Sequence, residues 1–205
     1  MISRSEIKRV RYCNKELFNV AINDTLPINV DMEITYGKIC FLDLDNTLLF
    51  SNEVPTDYPC HAMMMENGEE IYINFRPVAL EFVKQLSELY DIIVWSAGSY
   101  SYVKPAVKLI EKLSGIKLSE ILSREDTFPF YPAGLFFKNI HKVTICNTPL
   151  TEYADTIIVD DNKRGVISCL ENMIFVEPWI PYHANDSVLE QIMAFIKKRD
   201  SVRNR

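Results

Sequence analysis

Short apolar runs alternate with segments of helical periodicity along most of the chain. KICFLD (38–43), DIIVW (91–95), TIIVD (156–160) and NMIFV (172–176) each read as a buried strand, because a strand covered on both faces is apolar at every position. Between them, PVALEFVKQLSELY is opened by Pro77 and places Val78, Phe82, Leu86 and Leu89 near helical spacing. A second helix is predicted over Ser101 to Ser114, with Pro105 in its first turn and Gly115 as its stop. SVLEQIMAFIKK (187–198) closes the chain as an amphipathic helix with Leu189, Ile192, Phe195 and Ile196 inward. Strands alternating with helices predict an α/β fold with a mostly parallel sheet flanked by helices.

Other stretches interrupt this rhythm. SNEVPTDYPCH (51–61) reads as loop, and HAMMMENGEEIYINF carries an Asn67-Gly68 turn between two extended runs, the signature of a hairpin. The expected layout is an N-terminal extension over 1–36 and one domain over 37–205, with a β-hairpin insertion at about 51–75. Residues 124–137 are aromatic and proline-rich and read as loop, and KVTIC (142–146) reads as an extra strand.

Composition narrows the class. The 205 residues are 48% hydrophobic and 24% charged, which suits a globular domain with a sizeable core. A formal net charge of −6 argues against a general grip on a nucleic-acid backbone, so no direct nucleic-acid partner is expected. No apolar run approaches ~18 residues, so no membrane span is expected. Five cysteines without a C-x-x-C point to reduced thiols in a reducing intracellular compartment, nucleus or cytoplasm. No metal-ligand spacing links them to His61, His141 or His183, and zinc is not expected.

The polar residues then fall into place. Asp43 and Asp45 stand where the first predicted strand ends, Ser96 where the second ends, and Asp160-Asp161 where the third ends. In a parallel sheet these ends share one rim, where ligands bind. Carboxylates converging there repel one another unless a cation intervenes, and a hard divalent ion such as Mg²⁺ suits oxygen ligands. A carboxylate beside such an ion is a competent nucleophile toward a phosphoryl group, provided donors meet the phosphoryl oxygens. Ser96 and a lysine could supply them. Lys138 in LFFKNI is the candidate, with Lys142 its competitor.

DLDNT, VWSAG, FFKNI and VDDN, in that order, resemble the four motifs of the haloacid dehalogenase (HAD) superfamily of aspartate-nucleophile phosphatases. The wider set of DLDNTLL, an ENGEE hairpin leading into FRP, IIVWSAGSYSYV and SREDTF is similar to the RNA polymerase II C-terminal-domain phosphatases, the FCP/SCP-like, NLI-interacting-factor-like group. The likeness runs from about Lys38 to about Lys198. It implies a HAD-like Rossmannoid fold and Mg²⁺-dependent hydrolysis of phosphomonoesters through an aspartyl phosphate. The implied substrate is a phosphoserine or phosphothreonine protein, with the polymerase C-terminal domain favoured.

Carried over by position, the resemblance implies Asp43 as nucleophile and metal ligand. Asp45 is then the general acid and base, with its main-chain carbonyl on the metal, and Asp160 and Asp161 complete the metal shell. Thr47, Ser96, Ala97 and Lys138 would meet the phosphoryl group, and Arg124 and Tyr102 the peptide. Glu53 and Ser99 depart from the small members, where apolar side chains stand. Two alternatives stay open: a phosphatase of a small metabolite or nucleic-acid phosphate end, and a weakly catalytic phosphopeptide-binding module. The oligomeric state is not legible.

Overall fold

A computed structural model describes residues 26–130, 135–163, 165–167, 172–182 and 185–203. The basic stretch from Arg4 to Lys15, together with Cys13, Cys169 and His183, lies outside the described residues.

Five strands form the central sheet: β2 (Lys38–Leu42), β6 (Asp91–Trp95), β7 (Glu120–Leu122), β12 (Asp155–Asp160) and β14 (Met173–Phe175). Their order is β14-β12-β2-β6-β7, and every pairing is parallel. β2, β6 and β12 are almost wholly buried, as their unbroken apolar runs require. β7 has no counterpart among the predicted strands; its three residues, EIL, are too short for a periodic signal.

Helices α1 (Ala79–Ser87), α2 (Tyr100–Ser114) and α3 (Val188–Arg203) pack together over one face, with Phe82, Val83, Leu86, Val103, Val107, Leu189 and Ile196 in a shared core. The other face carries a second cluster built on Phe41, Trp95, Ile140 and Ile145. Among the described residues, no helix is long and apolar enough to cross a membrane.

Three predicted details are corrected. The first helix starts at Ala79, not Pro77, because Val78 takes a left-handed conformation (φ 55°) and is 40% exposed instead of inward. It also ends earlier, with Leu89 and Tyr90 both donating to the Leu86 carbonyl in a closing turn. Phe195 faces outward, 54% exposed, while its neighbour Ile196 is buried. The loop expected over 124–137 contains β8 (Phe128–Phe130) and the start of β9 (Leu135–Asn139), an antiparallel pair. Pro129 and the clustered aromatics disguise the pairing in the sequence.

The predicted hairpin is present and is larger than its turn signal. β4 (His61–Met64) and β5 (Glu70–Phe75) pair across Asn67-Gly68, where Gly68 adopts φ 84°. β3 (Leu49–Asn52) adds on the other side of β5, so part of the expected loop is strand. Before the central sheet, β1 (Ile28–Val30) pairs in parallel with β10 (Val143–Ile145), which in turn pairs with β11 (Thr148–Pro149). β10 realises the strand expected in KVTIC. β13 (Val166–Ile167) lies beside β9.

Candidate active site

The first motif works by alternation. Leu44, Leu48 and Leu49 go into the core, while Asp43 and Asp45 turn to the rim and buried Thr47 backs Asp43. Asn46 enables this with φ 58°, a conformation asparagine tolerates. Its N–H donates to the Leu49 carbonyl (2.7 Å), and Trp179 N–H donates to its carbonyl (2.8 Å). The Asp43 N–H continues the ladder onto the Val159 carbonyl, so the carboxylate projects where β2 and β12 end.

Asp43 is 7% exposed and fully engaged. Lys138 Nζ donates to its Oδ1 at 2.6 Å, and Thr47 Oγ1 to its Oδ2 at 2.9 Å. The same lysine donates to Asp160 Oδ2 at 2.7 Å. Lys138 reaches the rim from β9, whose register is held by its own N–H on the Gly165 carbonyl. Burial alone would depress its pKa, but Asp43 and Asp160 more than offset that, and the amine is held charged. Lys142 sits in a short turn after β9 and lines no part of this cavity.

Asp160 and Asp161 follow as an unequal pair. Asp160 is buried, and Asn162 N–H donates to its Oδ1 at 2.7 Å. Burial and the Asp43 charge push its carboxyl up to about 6 despite Lys138. Asp161 is more open, and burial with Asp43 and Asp160 nearby pushes it up to about 7. Its N–H donates to Thr47 Oγ1 at 3.1 Å, which ties the third strand end to the first motif. One oxygen from each of Asp43, Asp160 and Asp161 lies within 4.8 Å of the others. A crowded set of carboxylate oxygens, in which burial and neighbouring charge raise Asp160 and Asp161, is the donor chemistry of a hard divalent cation. These three side chains could hold one.

Asp45 stands apart from that group. Tyr102 Oη donates to its Oδ1 at 2.5 Å, with Ser51 Oγ also on Oδ1 and Ser96 Oγ on Oδ2, both at 3.3 Å. Burial raises its pKa, and the Tyr102 hydrogen bond partly counters this. Ser96 Oγ in turn accepts the Gly98 N–H at 2.9 Å. A Cβ on Gly98 would lie 2.6 Å from Tyr102 Cδ1, so the absent side chain is what admits the tyrosine ring.

Asp43, Asp45, Ser96, Ala97, Lys138, Asp160 and Asp161 thus surround a single cavity of ≈ 290 Å³, with Thr47 buried behind it. Asp45 and Ala97 also border a larger one of ≈ 610 Å³, lined by Tyr102 and Arg124. Arg124 Nε donates to the Ala97 carbonyl at 2.7 Å, and its guanidinium lies 4.8 Å from the centre of the Phe136 ring. One residue outside the predicted set, Arg76, carries the first-motif loop: its Nη1 donates to the Thr47 carbonyl at 3.2 Å. The R-P pair marks it in the sequence, but only as a helix start.

The family model described as NLI interacting factor-like phosphatase matches residues 38–204. The chain is 28% identical over 108 residues to an RNA polymerase II C-terminal domain phosphatase of Schizosaccharomyces pombe, covering 53% of this chain and 13% of that protein. It is 23% identical over 163 residues to the carboxy-terminal domain RNA polymerase II polypeptide A small phosphatase 2 of Mus musculus, covering 78% of this chain and 57% of that one. The chain therefore spans little more than half the length of such curated relatives, or less. The solved structure of Fcp1, an essential RNA polymerase II CTD phosphatase, superposes with a TM-score of 0.50 at 18% identity, over 93% of this chain and 54% of that one. At that identity the likeness supports the fold, a HAD-like α/β domain.

Proposed function

The chain belongs to the NLI interacting factor-like phosphatase family, and from that premise we propose that it hydrolyses phosphoserine or phosphothreonine esters of a protein through an aspartyl phosphate on Asp43. One observation carries the reading: a buried carboxylate paired with a lysine and a second, separately held carboxyl border the same open cavity. That is the division of labour a nucleophile and a general acid–base need.

In this reading Asp43 attacks phosphorus in line. Lys138, Ser96 and the backbone at Ala97 meet the phosphoryl oxygens, and Thr47 orients the nucleophile through its hydrogen bond to Oδ2. Asp45 gives its proton to the leaving serine or threonine oxygen. It then takes a proton from the water that cleaves the acyl phosphate, which returns Asp43 and releases phosphate. We assign Mg²⁺ to Asp43, Asp160 and Asp161; bound there, it neutralises the carboxylates and the phosphoryl charge.

The three-stranded insertion β3-β5-β4 leaves the cavity open beside a second, larger one, which suits a peptide better than an enclosed metabolite. The names of the relatives favour the phosphorylated RNA polymerase II C-terminal domain as substrate, and with it action in the nucleus. We take 37–205 as the catalytic unit, with β1 supplied by the residues before it.

Phosphate release from an aryl phosphate, with Mg²⁺ or with chelator, tests the reading in the wild type and in Asp43→Asn. Metal-dependent turnover that vanishes in the variant is expected. A folded, inactive wild type would overturn it.

A further inference from the structure

The ≈ 610 Å³ cavity beside Asp45 is electrically polarised. One end is set by Arg124. Its side chain donates to the Ala97 carbonyl and lies over Phe136, and both of these residues also border the phosphoryl cavity. Its positive charge therefore sits at the junction, where a phosphoryl group would arrive. Ser51 and Asn52 at the end of β3, and Glu53 just after it, also line the cavity. Glu53 is exposed and lines the larger cavity only. Its neighbour Asn52 borders a separate cleft with Tyr58 and Tyr182.

The remaining groups do not cancel this arrangement. Tyr102 gives its hydroxyl to Asp45 and also lines the cavity. Met65 and Ile71 supply apolar wall. Lys104 on α2 is paired with Glu66 of the hairpin at 3.3 Å. Glu125 takes the Ser123 hydroxyl and the Tyr100 N–H. An open cleft that combines the apolar side chains of Met65 and Ile71 with the carboxylate of Glu53 fits the aliphatic stem and cationic head of lysine or arginine.

We propose that Glu53 makes the cavity beside the catalytic carboxyls select a basic residue flanking the phosphorylated serine or threonine. This rests on the phosphopeptide reading above and adds a side-chain preference to it. The phosphate anion faces Arg124 and Lys138 while the flanking cation faces Glu53, so charge is matched at both ends of the bound segment.

The test compares phosphoserine peptides that differ at the positions flanking the phosphoresidue, carrying Lys, Gln or Glu. The readout is the ratio of kcat/KM for Lys over Glu peptides within each protein. The wild type is expected to favour Lys by about five- to tenfold at low salt, the size of effect a rim charge supports. Glu53→Gln brings the ratio near one, and Glu53→Lys reverses it. Salt should shrink the wild-type ratio. A wild-type ratio of one, or a ratio that survives Glu53→Gln, overturns the proposal. Melting curves establish that both variants are folded. Aryl phosphate turnover by the wild type is read separately, so the phosphatase reading can stand if the preference fails.

Discussion

Arg76 and Asp186 form a buried two-point ion pair, with Nε on Oδ1 at 3.0 Å and Nη2 on Oδ2 at 2.7 Å, across 110 residues of sequence. The same guanidinium holds the Thr47 carbonyl, and Asp186 Oδ1 also accepts the Val188 N–H at the start of α3. The pair therefore fastens the first-motif loop to the closing helix. Their side chains are only 1% and 8% exposed, so neither charge has water to fall back on. Arg76→Ala is expected to destabilise the fold by about 3–5 kcal/mol, because it leaves Asp186 buried and uncompensated. Denaturant unfolding measures this, and a loss under about 1 kcal/mol would contradict the role.

Tyr102→Phe keeps the ring and removes the hydroxyl that holds Asp45. If that hydroxyl aims the general acid, kcat/KM should fall about 10- to 100-fold for a phosphoserine peptide, whose leaving oxygen must be protonated. A nitrophenyl phosphate, whose leaving group departs without a proton, should change by no more than about threefold. kcat/KM reports phosphoryl transfer to Asp43, so the second half-reaction does not mask the contrast. Equal losses on both substrates would mean that Tyr102 acts otherwise.

Gly98→Ala tests the space beneath that ring. The new Cβ would meet Tyr102 Cδ1 at 2.6 Å, so the ring has to move and its hold on Asp45 is lost. Peptide turnover should drop in the single variant. In a Tyr102→Ala background the same change should cost less, because the clash with the ring has gone and only the 3.2 Å approach to Ser96 Oγ remains. Additive losses would argue against the coupling.

The rim carboxylates make stability depend on pH. Asp160 and Asp161 are raised from the ordinary 3.8 to about 6 and about 7 by burial and by neighbouring negative charge. Between about pH 4 and pH 7 the folded state thus binds protons that the unfolded state has released, and stability falls as pH rises. Lys138 has a raised pKa, so its contribution is fully present below its ordinary value of 10.5 and adds no slope here. With chelator, the denaturant midpoint should be higher at about pH 5 than at about pH 7.5, and Asp161→Asn should flatten the difference. Mg²⁺ should raise the midpoint more at the higher pH than at the lower. A rising midpoint across this window, insensitive to Asp161→Asn, would refute the assignment.

Much of this arrangement is legible without any knowledge of the fold, and the exceptions are instructive. The runs at 38–43, 91–95 and 156–160 mark the three strands that meet at the site, and the carboxylates and Ser96 stand at their ends. β8 escapes a sequence reading because Pro129 stands inside its three residues, and β9 because its short run Leu135-Phe136-Phe137 follows directly on a proline-rich stretch. Val78 and Phe195 match helical stripes yet are exposed: Val78 is a left-handed residue before α1, and Phe195 lies on the outer face of α3.

The parallel sheet and the row of acids along its rim follow from patterning alone. Buried parallel strands are apolar throughout, so a charge can stand only where a strand ends. How those charges are partnered follows only from packing. Lys138 crosses to Asp43 and Asp160 from a strand aligned by the Gly165 carbonyl. Tyr102 reaches Asp45 through the gap left by Gly98, and Arg76 finds Asp186 near the far end of the chain. Local propensity acts over a few residues, whereas these contacts join segments brought together only when helices and strands pack.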